Sequence, residues 1–151
     1  PTTITKATTN DINQVARLFD LYRQFYEQDP NLSLAQHYIS EQITNDSSVI
    51  FIAWSGESED RHAVGFTQLY SSFCSVEASP IWVLYDLYVE EDRRGKGIGK
   101  SLMQQAHQMA AKSDASRIDL ETAFDNVNAQ ALYESLGYQK DNEFYKYSFE
   151  L

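Results

Sequence analysis

Apolar positions along the chain change period several times, and each change marks an element. Thr2-Ile4-Lys6 alternates weakly and predicts a first strand. After Asn10-Asp11, both able to cap a helix, Ile12, Val15, Phe19, Tyr22 and Tyr26 recur at helical spacing, with Pro30 beyond the end. A second short helix is predicted over Leu34 to Ile43. Val49 to Ala53 reads as a strand, Gly56 to His62 as a polar turn, and Ala63 to Phe73 as its antiparallel partner. Ser71 to Pro80 reads as a loop, because proline cannot donate to a central ladder.

Ile81 to Val89 is nearly all apolar and predicts a strand buried on both faces, with Asp86 as its only charge. Ile98, Leu102, Ala106, Met109 and Ala110 then mark one helical face. Arg117 to Glu121 alternates as a strand. A strand, helix, strand unit of this length is a right-handed parallel crossover. A short helix over Asn128 to Ser135, ended by Gly137, and a last strand over Glu143 to Phe149 complete the order. The prediction is one α/β domain spanning residues 1–151, with a mixed, mostly antiparallel sheet flanked by helices.

Charge changes the picture at one place. The net charge is −10, yet four of the twelve Lys and Arg residues fall within Arg93-Arg94-Gly95-Lys96-Gly97-Ile98-Gly99-Lys100. A strand that runs into glycines and then a helix presents backbone N–H groups and a positive dipole end, and phosphate is the natural guest. A Walker A loop would need glycine where Arg94 stands, and a dinucleotide fingerprint would need glycine where Lys100 stands. The pattern Arg/Gln-x-x-Gly-x-Gly/Ala is satisfied by Arg94, Gly97 and Gly99.

With those residues, and with Asn126-Val127-Asn128-Ala129-Gln130-Ala131-Leu132-Tyr133-Glu134-Ser135-Leu136-Gly137-Tyr138, the chain resembles the GNAT superfamily of acyl-CoA-dependent N-acyltransferases over essentially its whole length. The resemblance implies acetyl-CoA as donor. Its pyrophosphate would lie on Arg94, Gly95, Lys96, Gly97, Ile98, Gly99 and Lys100, and its pantetheine amides along Leu87, Tyr88 and Val89. Asn126, with Asn128 beside it, would meet the pantetheine arm. Tyr133 takes the family position of the general acid at the leaving thiolate, a role a phenol suits because it stays protonated at neutral pH. A backbone N–H near Leu87 or Tyr88 would stabilise the oxyanion.

The base is open between Asp86 and Glu121. Asp86 is a charge in an apolar run, which is costly unless paired or functional. Polyamine and thialysine acetyltransferases of this superfamily carry Glu-Asp where this chain has Tyr85-Asp86, so their acceptor does not transfer directly. From Gln24 to Asp92 the only Lys or Arg is Arg61, against a dozen Asp and Glu, which suits either solubility or a cationic acceptor. The expectation is a small primary amine, with peptide or aminoglycoside acetylation, or a non-enzymatic acyl-CoA-binding module, as alternatives. Phe19, Tyr22, Phe25, Tyr26 and the stretch Tyr70 to Trp82 would frame the acceptor pocket.

Nucleic-acid binding is disfavoured by the acidic balance. No metal-ligand spacing is present, and no run of eighteen apolar residues or signal-like segment predicts membrane insertion or export. Cys74 is the only cysteine, so a cytoplasmic setting is expected. The resemblance to yeast-type histone and polyamine acetyltransferases and their bacterial relatives further implies a homodimer.

Overall fold

A computed structural model describes residues 2–151. The chain divides into two compact units, the first ending at Glu121 and the second covering Thr122–Leu151.

The first unit carries β1 (Thr2–Lys6), α1 (Ile12–Phe25), α2 (Leu32–Thr44), β2 (Val49–Ser55), β3 (His62–Cys74), β4 (Ser79–Val89), α3 (Ile98–Ala111) and β5 (Ile118–Leu120). The sheet order is β1-β2-β3-β4-β5. The first three pairings are antiparallel, and β4 pairs β5 in parallel through the α3 crossover. This is the mixed α/β sheet that the periodicities predict.

Alternation along β2 sorts the two cores. Ile50, Ile52 and Trp54 point to Val15, Leu18 and Phe19 of α1 and Ala35 and Ile39 of α2. The opposite face receives α3, whose Ile98, Leu102, Met103 and Ala106 are buried. Gly65 lets α3 come close: a Cβ there would stand 2.9 Å from the Tyr88 carbonyl oxygen and 3.3 Å from Leu102 Cδ1. The α1–α2 connection is pinned by buried Asp20, whose Oδ1 accepts from Asn31 N at 2.9 Å. Asn31 Oδ1 in turn caps α2 by accepting from Leu34 N at 3.0 Å.

Two expectations are corrected here. Residues 71 to 80 are not a loop: β3 runs to Cys74 and β4 starts at Ser79, leaving a tight turn between. Pro80 is tolerated because it stands at the start of β4, before β5 begins pairing at Trp82. Nor is β4 buried on both faces. Tyr85, the extra residue of a bulge, is exposed.

The second unit carries α4 (Val127–Ser135). The expected last strand over Glu143 to Phe149 forms no ladder among the described residues. Alternating aromatics supply the β pattern, but a strand needs a partner to hydrogen-bond with.

Candidate active site

The bulge is where the site begins. Gln68 stands opposite Asp86 and Leu69 opposite Leu84, so Tyr85 is an extra residue in β4. The Tyr85 carbonyl accepts from Tyr22 Oη of α1 at 3.2 Å. Asp86 turns under the α1 side of the sheet and is 5 % exposed. There Gln68 Nε2 donates to Asp86 Oδ2 at 2.6 Å, and Ser48 Oγ donates to Gln68 Oε1 at 2.7 Å. The second bond orients the Gln68 amide so that its NH2 end faces the carboxylate. Burial raises the Asp86 pKa above the ordinary aspartate value, and hydrogen bonds from Gln68 and Tyr22 partly oppose that rise.

Aromatic side chains lie beside this carboxylate. Tyr70 stacks edge-on to Tyr85 with centroids 5.6 Å apart, and Tyr38 Oη lies 2.5 Å from Tyr70 Oη. Burial, the Tyr38 hydrogen bond and the nearby Asp86 charge all push the Tyr70 phenol upward, so it remains protonated at any ordinary pH. Tyr22 packs edge-on to Tyr88 at 6.4 Å. A carboxylate with aromatic side chains beside it is a chemically apt receptor for an ammonium or amine. Tyr22 and Tyr70 were expected here from sequence. Gln68, Ser48 and Tyr38 were not, although a glutamine inside the apolar run of β3 was the visible signal.

On the other side of the bulge β4 continues with a free flank. The β5 ladder stops at Leu84 opposite Leu120, so Leu87, Tyr88 and Val89 pair only with β3. Among the described residues no strand covers their other edge. This is an opening an extended, amide-bearing chain can fill as an added strand.

β4 then runs through the short turn Glu91–Arg93 into the glycines. Gly95 and Gly97 have φ of +76° and +83°, the left-handed region where a side chain is strained. A Cβ at either would meet nothing within 4 Å, so backbone conformation and not packing requires glycine. Gly97 is the N-cap of α3 and makes no side-chain cap bond, leaving the first backbone N–H groups of the helix without that partner. Arg94 is held in place: its Nε donates to the Val89 carbonyl at 2.8 Å, and its guanidinium lies 5.6 Å from the Phe25 ring and 5.4 Å from Tyr88. Lys96 and Lys100 are exposed beside it, whereas Arg93 turns aside to donate to Ser55 Oγ at 3.0 Å. Ile98 is buried under the helix and can contribute only its backbone.

Glu121 follows β5 directly and is exposed. In the second unit Asn126 caps α4, its Oδ1 accepting from Ala129 N at 3.4 Å. Asn128 follows in the first turn and is exposed. Tyr133 lies at the end of α4, which closes in a Schellman motif: Tyr138 N donates to the Tyr133 carbonyl and Gly137 N to the Glu134 carbonyl, both at 3.1 Å. The Tyr133 and Tyr138 rings are 6.0 Å apart.

The sequence profile of the acetyltransferase (GNAT) family matches residues 14–138. The chain belongs to this family. It is 38 % identical over 144 residues to the uncharacterized N-acetyltransferase YhfO of Bacillus subtilis (strain 168), covering 95 % of this chain and 94 % of that one. A shorter match, 29 % over 90 residues, is to the D-amino-acid N-acetyltransferase HPA3 of Saccharomyces cerevisiae, covering 60 % of this chain and 56 % of that one. A solved structure of a probable acetyltransferase superposes with a TM-score of 0.90 at 34 % identity, covering 99 % of this chain and 97 % of that one. The chain is therefore a GNAT acetyltransferase, and members of the family use acetyl-CoA as donor. The glycine turn and the uncovered flank of β4 fit that molecule: cationic backbone and side-chain donors for a pyrophosphate, and an open strand edge for amides. Among the described residues no group of three His, Cys, Asp or Glu is placed to hold a metal ion, and no helix is long and apolar enough to cross a membrane.

Proposed function

We propose that this GNAT enzyme moves the acetyl group of acetyl-CoA to the primary amine of a small cationic acceptor, by direct attack while both are bound. The observation that carries the acceptor is the Asp86 carboxylate, buried, oriented by Gln68, and flanked by Tyr22 and Tyr70. A carboxylate with raised proton affinity is better matched to take a proton from an attacking amine than an ordinary one. It also attracts an ammonium that must lose its proton before it attacks.

The remaining roles follow from the elements. Arg94 and the turn from Gly95 to Lys100 hold the pyrophosphate, and Leu87 to Val89 align the pantetheine arm with Asn126 and Asn128 assisting. A backbone N–H of β4 at Leu87 or Tyr88 receives the developing oxyanion. Tyr133 donates its proton to the leaving thiolate. Glu121 is the second candidate base. The one cysteine, Cys74, stands at the far end of β3 from this site, opposite Ser79, which favours direct transfer over a thiol-bound acyl group.

The test is thiol release from acetyl-CoA across a panel of diamines, polyamines, amino acids, aminoglycosides and peptides. The expected result is highest kcat/KM for a small cationic amine. Turnover confined to peptide N-termini would contradict the proposed acceptor class.

A further inference from the structure

Phe25, the last residue of α1, is 53 % exposed, so its ring gains little from burial. The turn that carries it is nonetheless closely built. Glu27 N donates to the Gln24 carbonyl at 2.9 Å and Gln28 N to the Arg23 carbonyl at 3.0 Å, a Schellman closure. Glu27 holds a φ of +65° there, a conformation usually left to glycine. Asp20 ties the helix end to the chain that follows: its Oδ2 accepts from Gln24 Nε2 at 3.2 Å and its Oδ1 from Asn31 N at 2.9 Å. The end of α1 is fixed, and Phe25 with it.

What this fixed ring faces is a cation. The Arg94 guanidinium lies 5.6 Å from the Phe25 centroid and 5.4 Å from that of Tyr88, within the distance at which a cation is attracted to an aromatic face. Arg94 Nε donates to the Val89 carbonyl at 2.8 Å. That uses one of the guanidinium's five N–H groups and leaves the terminal ones to meet phosphate oxygens. Tyr88 and Val89 support Arg94 from the strand that leads into its own turn, whereas Phe25 supports it from a separate element. Three positions earlier on α1, Tyr22 Oη donates to the Tyr85 carbonyl at 3.2 Å. Residues three apart share a helix face. One face of α1 therefore meets the Asp86 bulge with Tyr22 and the cationic turn with Phe25. The sequence groups both rings with the acceptor, and the structure divides them.

We propose that Phe25 is a positioning residue for the donor: its ring holds the Arg94 guanidinium so that the terminal N–H groups stay turned toward the pyrophosphate of acetyl-CoA. This rests on the assignment of that pyrophosphate to Arg94 and its turn. A free arginine side chain samples many rotamers, and ordering it on binding costs affinity. A ring that already holds the guanidinium removes part of that cost. It also leaves the positive charge intact for the phosphates, which a carboxylate partner would neutralise.

Calorimetry with acetyl-CoA, and steady-state kinetics with the amine preferred in the panel above, test this on the full chain. Each variant's fold is checked by circular dichroism. Phe25→Leu keeps an apolar side chain without a π face, and should weaken acetyl-CoA binding by about two- to fivefold, the range of an exposed cation–π contact. Phe25→Tyr restores the wild-type affinity. At saturating acetyl-CoA the amine KM of Phe25→Leu stays as in wild type. On an Arg94→Ala background, Phe25→Leu brings no further loss. An Arg94→Ala enzyme that binds acetyl-CoA as tightly as wild type fails the pyrophosphate assignment, and this inference with it. A weakened Arg94→Ala beside an unchanged Phe25→Leu overturns the inference alone. So does a Phe25→Tyr enzyme no tighter than Phe25→Leu, or a Phe25→Leu loss that persists in full without Arg94. A defect confined to the amine KM overturns it as well, and returns Phe25 to the acceptor pocket.

Discussion

Gln68 Nε2 and Asp86 Oδ2 meet at 2.6 Å between β3 and β4, with both side chains buried. The bond is what keeps a carboxylate tolerable in an otherwise apolar layer, and it restrains the rise in the Asp86 pKa. Replacing Gln68 by Leu removes the donor. A hydrogen bond to a charged group contributes about 1.5–3 kcal/mol, which corresponds to roughly one to two pKa units. The acidic limb of the kcat/KM–pH profile should therefore move upward by about that much. A Gln68→Leu enzyme with an unmoved profile would show that Asp86 does not govern the reaction.

The same carboxylate sets a pH dependence of stability. Its folded pKa is raised, so the folded state binds this proton more tightly than the unfolded state does. Its contribution is fully present below the ordinary aspartate value and is lost as pH rises through the folded value. Chemical denaturation across that window should show wild type losing stability relative to Asp86→Asn as pH increases. A difference that stays flat would mean that the two states hold the proton equally.

Gly97 at φ +83° needs no space but needs its conformation. Gly97→Val imposes a strained left-handed residue at the α3 N-cap, costing about 1–3 kcal/mol. It should weaken acetyl-CoA binding at least tenfold by calorimetry. Unchanged affinity in a folded variant would remove the pyrophosphate from this turn.

Tyr133→Phe keeps the ring beside Tyr138 and deletes only the hydroxyl. Loss of a general acid lowers rates by about 10²-fold or more. The expected outcome is a fall in kcat with little change in acetyl-CoA dissociation constant, read by steady-state and binding measurements together. Equal turnover would leave Tyr133 a packing residue.

How much of this could be read from sequence depends on range. The β4–turn–α3 run is local: its strand, glycines and helix are contiguous from Ile81 to Ala111, and their order alone points to a bound pyrophosphate. The helices α1 and α3 carry their periodicity within a few turns. The Gln68–Asp86 pair is different, because its register depends on one extra residue, Tyr85, that periodicity does not reveal. Tyr38 and Tyr70 meet only because α2 packs over β3, across 32 positions of chain. The run 143–149 has strand periodicity but forms no ladder among the described residues.

The most direct test of the central claim is the steady-state behaviour of Asp86→Asn with the preferred amine. An amide fills the same space and can still bond to Gln68, but it neither attracts an ammonium nor takes its proton. The account predicts a loss of about 10²-fold or more in kcat/KM for the amine, with acetyl-CoA affinity unchanged. An Asp86→Asn enzyme as efficient as wild type would contradict it.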